Sequence, residues 1–403
     1  MSDSLRASAV MAGAACAPLA APDVAAFGEW DTANLGDRAI HAGVLRFFGE
    51  CGWNVRSYGF SSLAAVPPDT ALADAPPARS SPVRAILGGA PALKRALRGA
   101  RQRVRMAGLA PALGPSQAVL VGGGALLTDI NLHFPQSLVE LARTTRRLNK
   151  PLLCLGCSVE GDWSPRGEAM IAEFLSACTM VAVRDLATAE RLAPLLGAPP
   201  PVFGDFCLSE AVLPGTRERG GERRALAVNV CQLASPWAVV QERYEEAAAG
   251  MIRGLARSAV NRGGIRIFTT GLPEDARAAG RVHAQVGSAR VELHLPRNLG
   301  QLVAVLGTSA VAVATRLHAA ILALAERVPV VGFSATPKLR NFLATVGIEQ
   351  RFHDLGGWRG LGDWLAGADC EALLAEQDRA LARAPLWAGR ANVRRQLERI
   401  ARS

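Results

Sequence analysis

Two successive series of short apolar strands alternating with helices leave this chain few folds to choose from. In the first series the strand candidates are Val24–Phe27, Trp53–Phe60, Ala118–Val121, Pro151–Leu155 and the segment VAVRD at 181–185. Between them lie helical segments. One carries Ile40, Val44, Leu45 and Phe48 at helical spacing, another Leu138, Leu141 and Leu148, and two more cover 168–178 and 186–196. The second series runs LAVNV (226–230), a helix over about 237–261, IRIFTT (265–270), a helix near 274–287, VELHL, a helix near 298–306, AVAVA, a helix from Arg316, and VPVVGF. Strands joined through helices pair in parallel, and a parallel sheet is covered by helices on both faces. The expected fold class is therefore α/β, with two Rossmann-like domains facing a cleft. At 403 residues the chain is also long for a single core.

The boundaries follow from composition. Residues 1–22 read as a flexible Ala-rich leader, 23–214 as the first domain and GTRERGGERR at 215–224 as a polar linker. Residues 225–358 form the second domain, and 359–403 a helical, basic tail packing back on the first. The leader has only Arg6 as a basic residue, a weak charged region for a signal peptide. No apolar run reaches the length of a membrane span.

The net charge of +10, from 45 basic and 35 acidic residues, fits an anionic membrane surface or anionic substrates. Nucleic acid is not an expected partner, because no binding motif occurs and only 5% of residues are aromatic. One basic stretch, Pro91 to Gly108, reads as a helix with Lys94, Arg98, Arg101 and Arg105 beside an apolar face. It is either a solvated surface or a contact with anionic lipid, which would place a cytoplasmic protein at the inner face of the membrane. Eight scattered cysteines form no disulfide framework and indicate a reducing compartment. Cys154 and Cys157 form a CxxC with no second pair or His cluster, so the pair reads as structural and no metal is expected.

Chemistry concentrates between Thr315 and Phe342. Thr315 reads as an N-cap, with Arg316 and His318 in the first helical turn and Lys338 following Pro337 at the next helix start. Basic residues in a first turn oppose the helix dipole, a conflict an anionic ligand would remove. Arg184 at the end of VAVRD offers a guanidinium fork for carboxylate or phosphate, or else pairs structurally with Asp185. Gly122, Gly123 and Gly124 follow a strand as in a phosphate loop, although Leu127 breaks the dinucleotide pattern. In the first strand-to-helix loop, Asn34, Gly36 and Asp37 form a turn, and Asp37 either caps the helix or orients a sugar hydroxyl. Gly204-Asp205 reads as a structural turn.

In order, NLGDRAI (34–40), VGGGALLTD (121–129), VAVRD (181–185), FGDFCL (203–208) and ATRLHAAILALAERVPVVGFSATPKLRNFL (314–343) resemble the polysaccharide pyruvyl transferase family. The resemblance implies a GT-B-like fold. It also implies transfer of the pyruvyl group of phosphoenolpyruvate to a sugar of a cell-surface or exported glycan, free or lipid-linked, with release of phosphate. Phosphoenolpyruvate is then a co-substrate and no further cofactor is implied. By motif, Arg184, Arg316, Leu317, His318 and Lys338 bind the donor, His318 acting as acid or base with Arg184 and Arg316. Asn34, Asp37, Gly123 and Gly124 lie on the acceptor side. A GT-B glycosyltransferase using a sugar nucleotide, or a non-catalytic glycan-binding member, is the alternative. The segment CLGCSVEGDW (154–163) departs from the glycine-rich loop expected there.

Overall fold

The computed structural model describes residues 21–74, 110, 113–130, 132–210, 223–234, 237–257 and 263–402. The leader up to residue 20, the basic stretch 91–108 and all but the last two linker residues lie outside this set.

The first series folds as β1 (Asp23–Gly28), α1 (Leu35–Glu50), β2 (Asn54–Gly59), β3 (Ala118–Thr128), α2 (His133–Arg147), β4 (Leu152–Glu160), α3 (Pro165–Ala177), β5 (Met180–Val183) and α4 (Leu186–Leu196). Its strands pair in parallel in the order β2-β1-β3-β4-β5. The second series folds as β6 (Ala225–Asn229), α5 (Gln241–Arg257), β7 (Ile265–Phe268), α6 (Pro273–Val286), β8 (Val291–His294), α7 (Leu299–Gly307), β9 (Ser309–Ala314), α8 (Leu317–Ala325), β10 (Val330–Phe333), α9 (Pro337–Thr345) and β11 (Phe352–His353). Its parallel sheet has the order β11-β10-β9-β6-β7-β8. The two domains thus have the two common doubly wound strand orders. The order reverses between β1 and β3 in the first and between β6 and β9 in the second.

Central strands are buried along their whole length, as in β6, β9 and β10, because helices cover both faces. Helix starts follow the local chemistry. Asn34 accepts from the Gly36 N–H, Ser164 with Pro165 opens α3, and Asp185 accepts from the Thr188 N–H.

The glycine run corrects one expectation: it is not a loop after a strand. β3 continues through it and pairs with β4 as far as Thr128 opposite Glu160, with a register shift between Gly124 and Leu127. Gly123, at φ +72°, leaves no room for a Cβ, which would stand 2.3 Å from Ile40 Cγ2. Its want of a side chain is used to bring β3 against α1.

The tail forms α10 (Trp358–Ala366), α11 (Cys370–Arg383) and α12 (Leu386–Arg402). Trp358 packs on Gly250 of α5, and Gln377 of α11 bonds the Val328 carbonyl and the Val330 N–H in the second domain. α12 lies on the first domain, where Leu386 meets Gly204, Arg390 donates to the Asp205 carbonyl and Arg394 pairs with Glu50 at 3.0 Å.

Candidate active site between two switch points

In open α/β sheets the loops at a reversal of strand order splay apart and leave a crevice at the strands' carboxyl ends. Here both reversals face one cleft. The first domain brings the loop from β1 into α1, and the second brings the turn from β9 into α8. The β1–α1 segment is also tied to the β7–α6 loop of the second domain: the Leu35 N–H donates to the Thr270 carbonyl at 2.8 Å.

The start of α8 differs from the expected capping. Arg316, not Thr315, occupies the N-cap position with extended backbone. Asn229 at the end of β6 takes over the capping chemistry. Its side-chain oxygen accepts from the Arg316 N–H at 2.8 Å, and its carbonyl accepts from the Thr315 hydroxyl at 3.1 Å. Arg316 does not await a ligand to relieve its clash with the helix dipole. Its Nε and Nη2 grip both oxygens of buried Asp275, at 3.1 and 2.6 Å, and Nη2 also donates to the Gln232 carbonyl. Burial alone would lower the Arg316 pKa. Cys231 and Asp275 more than reverse this, so it stays above the usual arginine value.

His318, in the first turn of α8, reaches across the cleft. Its Nε2 lies 3.6 Å from Asp205 Oδ2, an ion-pair distance just beyond a hydrogen bond. The ring lies against Gly36 of α1, whose Cβ, if present, would be 2.4 Å from His318 Cγ. Arg184 approaches Asp205 from the other side, with Nη1 3.9 Å from the same Oδ2. Arg184 also bonds the Ser158 hydroxyl, and its Nε lies 3.6 Å from Asp185. Both readings of Arg184 are thus represented: a structural acid is present, yet the buried Nε has no hydrogen-bond partner. Burial would raise the Asp205 pKa, but His318, Arg184 and the Cys207 N–H together hold it well below the usual carboxylate range.

Lys338, in the first turn of α9, bonds Glu160 Oε1 at 2.5 Å. Burial lowers its pKa and Glu160 opposes that, while the nearby charges of Arg184 and Arg316 push it down further. Asp37 accepts from Asn34 Nδ2 at 2.9 Å. Burial raises its pKa, moderated first by His318 and then by Asn34, Thr32 and Arg316. It therefore lies in the electrostatic reach of both α8 residues. Leu317 is partly buried against the core, and Gly124 points its absent Cβ into open space.

The structure thus brings Arg184, Arg316, His318, Lys338 and Asp37 into one cleft. It gives Gly123 to packing and Asn34 to capping. Sequence reasoning missed Asp275, Glu160 and the outward oxygen of Asp205. The Gly204-Asp205 turn exists, with Oδ1 accepting from the Cys207 N–H at 3.0 Å, but Oδ2 belongs to the cleft. Cys154 and Cys157 are buried free thiols of β4, and among the described residues no group of three His, Cys, Asp or Glu could hold a metal ion. No described helix is long and apolar enough to cross a membrane.

Among solved structures the chain is similar to the UDP-GlcNAc 2-epimerase of Neisseria meningitidis bound to UDP-GlcNAc. Identity is 11%, the TM-score is 0.55, and the alignment covers 94% of this chain and 99% of that one. It is also similar to the S. aureus MnaA–UDP co-structure (10% identity, TM-score 0.54, covering 91% and 92%). A third is the UDP-GlcNAc 2-epimerase of Methanocaldococcus jannaschii (10%, 0.53, covering 94% and 99%). At these identities the likeness establishes the fold, two Rossmann-like domains of the GT-B type. No curated protein matches in sequence. The model of the polysaccharide pyruvyl transferase family, however, matches residues 34–336, from the cap of α1 to the cap of α9. That span is most of the chain and holds all of the cleft residues except Lys338, two positions beyond it; the protein belongs to the polysaccharide pyruvyl transferase family.

Proposed function

We propose that this protein transfers the pyruvyl group of phosphoenolpyruvate to two hydroxyls of a glycan sugar, forming a ketal and releasing phosphate. One observation carries the reading. Arg184 from one domain and His318 from the other meet at Asp205, while Lys338 lies near enough to Arg184 and Arg316 for their charges to act on it. Guanidinium forks suit a carboxylate and a phosphate on adjacent carbons, and an ammonium suits the departing phosphate.

His318 gives a proton to the methylene carbon of the donor, leaving cationic character at the neighbouring carbon. A sugar hydroxyl attacks that carbon and its proton returns to His318. The carbon–oxygen bond to phosphate then breaks with its electron pair on phosphate. A second hydroxyl attacks the same carbon, and its proton leaves with the phosphate. The methyl group thus gains one hydrogen and the phosphate the other. Asp37 orients the incoming hydroxyl from α1. The acceptor is a cell-surface or exported saccharide, free or lipid-linked.

The test incubates the protein with phosphoenolpyruvate and a panel of glycans, reading phosphate release and pyruvyl addition by mass spectrometry. Thermal shift with phosphoenolpyruvate, UDP and GDP runs alongside. Stabilisation by phosphoenolpyruvate with pyruvylated product is expected. Stabilisation by UDP or GDP alone, with no phosphate released, would move the protein to the sugar-nucleotide glycosyltransferases.

A further inference from the structure

We infer that Asp205 is the positioning residue of His318, so that the acid–base pair is built half from each domain. The inference rests on the reading of His318 as proton donor. Three observations lead to it. First, Asp205 is wholly buried, and its Oδ2 has no hydrogen-bond partner, as is true of His318 Nε2 opposite it at 3.6 Å. A buried carboxylate oxygen left without a bond is costly, and an imidazolium is the partner that removes the cost. Second, the other acid near the imidazole is committed elsewhere: Asp37 Oδ2 accepts from Asn34 Nδ2 at 2.9 Å, with Thr32 Oγ1 at 3.4 Å.

Third, the Asp205 loop is braced from behind. Arg390 of α12 bonds the Asp205 carbonyl while its guanidinium stands 4.4 Å over the Phe203 ring, and Leu386 closes on Gly204. Such bracing fixes a side chain to the tolerance that proton transfer needs. The charged groups acting on the imidazole are Asp205 from the β5–β6 connection and Asp37 from α1, and Arg316 precedes it by two residues and acts on Asp37. Arg184 faces Asp205 rather than the ring. With Asp205 ionised, the pair holds the imidazole in place at the meeting of the two domains. The donor anion is left to the forks of Arg184 and Arg316.

Asp205→Asn removes the charge with little change of shape. In a protein shown to release phosphate from phosphoenolpyruvate, kcat falls by about 10²-fold or more, the scale of a general acid. KM for phosphoenolpyruvate stays within about threefold, because Arg184 keeps Ser158 and Asp185 as partners and Arg316 keeps Asp275. The alkaline limb of the kcat profile moves to lower pH, since the imidazolium has lost its counter-charge. A fall in kcat with an unmoved pH profile, or a parallel rise in KM, would reduce Asp205 to a structural support and overturn the inference. Should Asp205→Asn not fold, Asp205→Ser, with room for a water beside Arg184, takes its place.

If the wild-type protein releases no phosphate, the functional reading fails by itself. A double-mutant cycle of Asp205→Asn with His318→Gln in urea unfolding then decides the pairing. Non-additive stabilities support it, and additive ones refute it.

Discussion

Gly36→Ala is the sharpest probe of the cleft, because it alters neither a charge nor a donor. The new Cβ would stand 2.4 Å from His318 Cγ and Nδ1 and 2.5 Å from His318 Cβ. Ordinary carbon contacts lie at about 3.5–4.0 Å, so the imidazole must retreat by roughly 1 Å. Retreat from Gly36 carries the ring off Asp205, or else the domains part and the Leu35–Thr270 bond breaks. Misplacement on this scale costs on the order of 10²-fold in rate, or about 2.7 kcal/mol of barrier. The first domain itself does not suffer. Residue 36 sits in the first turn of α1, alanine keeps the N–H that Asn34 accepts, and the helix gains up to about 1 kcal/mol in propensity over glycine. Phosphate-release kinetics should therefore drop about 10²-fold while the urea midpoint holds or rises. A folded Gly36→Ala protein with wild-type kcat would refute the placement of His318 against α1, and with it the assembly of the site across the two domains.

Asp275→Asn frees Arg316 from its two-oxygen grip; KM for phosphoenolpyruvate should rise about tenfold with kcat nearly kept, and an unchanged KM would separate Arg316 from the donor. Glu160→Gln removes the carboxylate that supports the Lys338 charge against burial. The lysine then loses its proton at lower pH, so donor affinity should begin to fall at a lower pH than in wild type as the pH is raised; parallel profiles would place Lys338 outside the phosphate site.

The strand–helix alternation was legible because the central strands are buried on both faces and so appear as continuous apolar runs. Val330–Phe333 and Ser309–Ala314 are such runs, bounded by turn residues. Helix starts were legible where a proline or an Asx side chain marks them, as at Pro337, Asn34 and Asp185. Legibility failed at Gly122–Gly124. Glycine lacks the side chain whose preference signals a strand, and what keeps this stretch extended is pairing with β4, a contact distant in sequence. It failed again at Thr315. Whether that hydroxyl caps its own helix or bonds the neighbouring strand depends on Asn229, 86 residues away.

The same reason divides the site into a readable half and an unreadable one. Its cations stand beside three helix starts, and elementary electrostatics singles them out. Their partners do not share those helix starts. Arg316 is held by Asp275 from α6, Lys338 by Glu160 from β4 of the other domain, and Arg184 and His318 by Asp205 from a turn that looked merely structural. Each fixed cation thus has a carboxylate within 4 Å, and the cleft is not the bare positive patch its motifs imply. Near-neutral pairing weakens long-range attraction for any anion, free phosphate included, while it holds the forks in fixed geometry. Donors so placed favour the ligand whose two anionic groups match their spacing over one that merely carries charge, and they do not hold a lone phosphate with the whole binding energy of the donor. The proposed transfer captures a carboxylate and a phosphate together and then lets the phosphate go, a task better served by paired cations than by free ones.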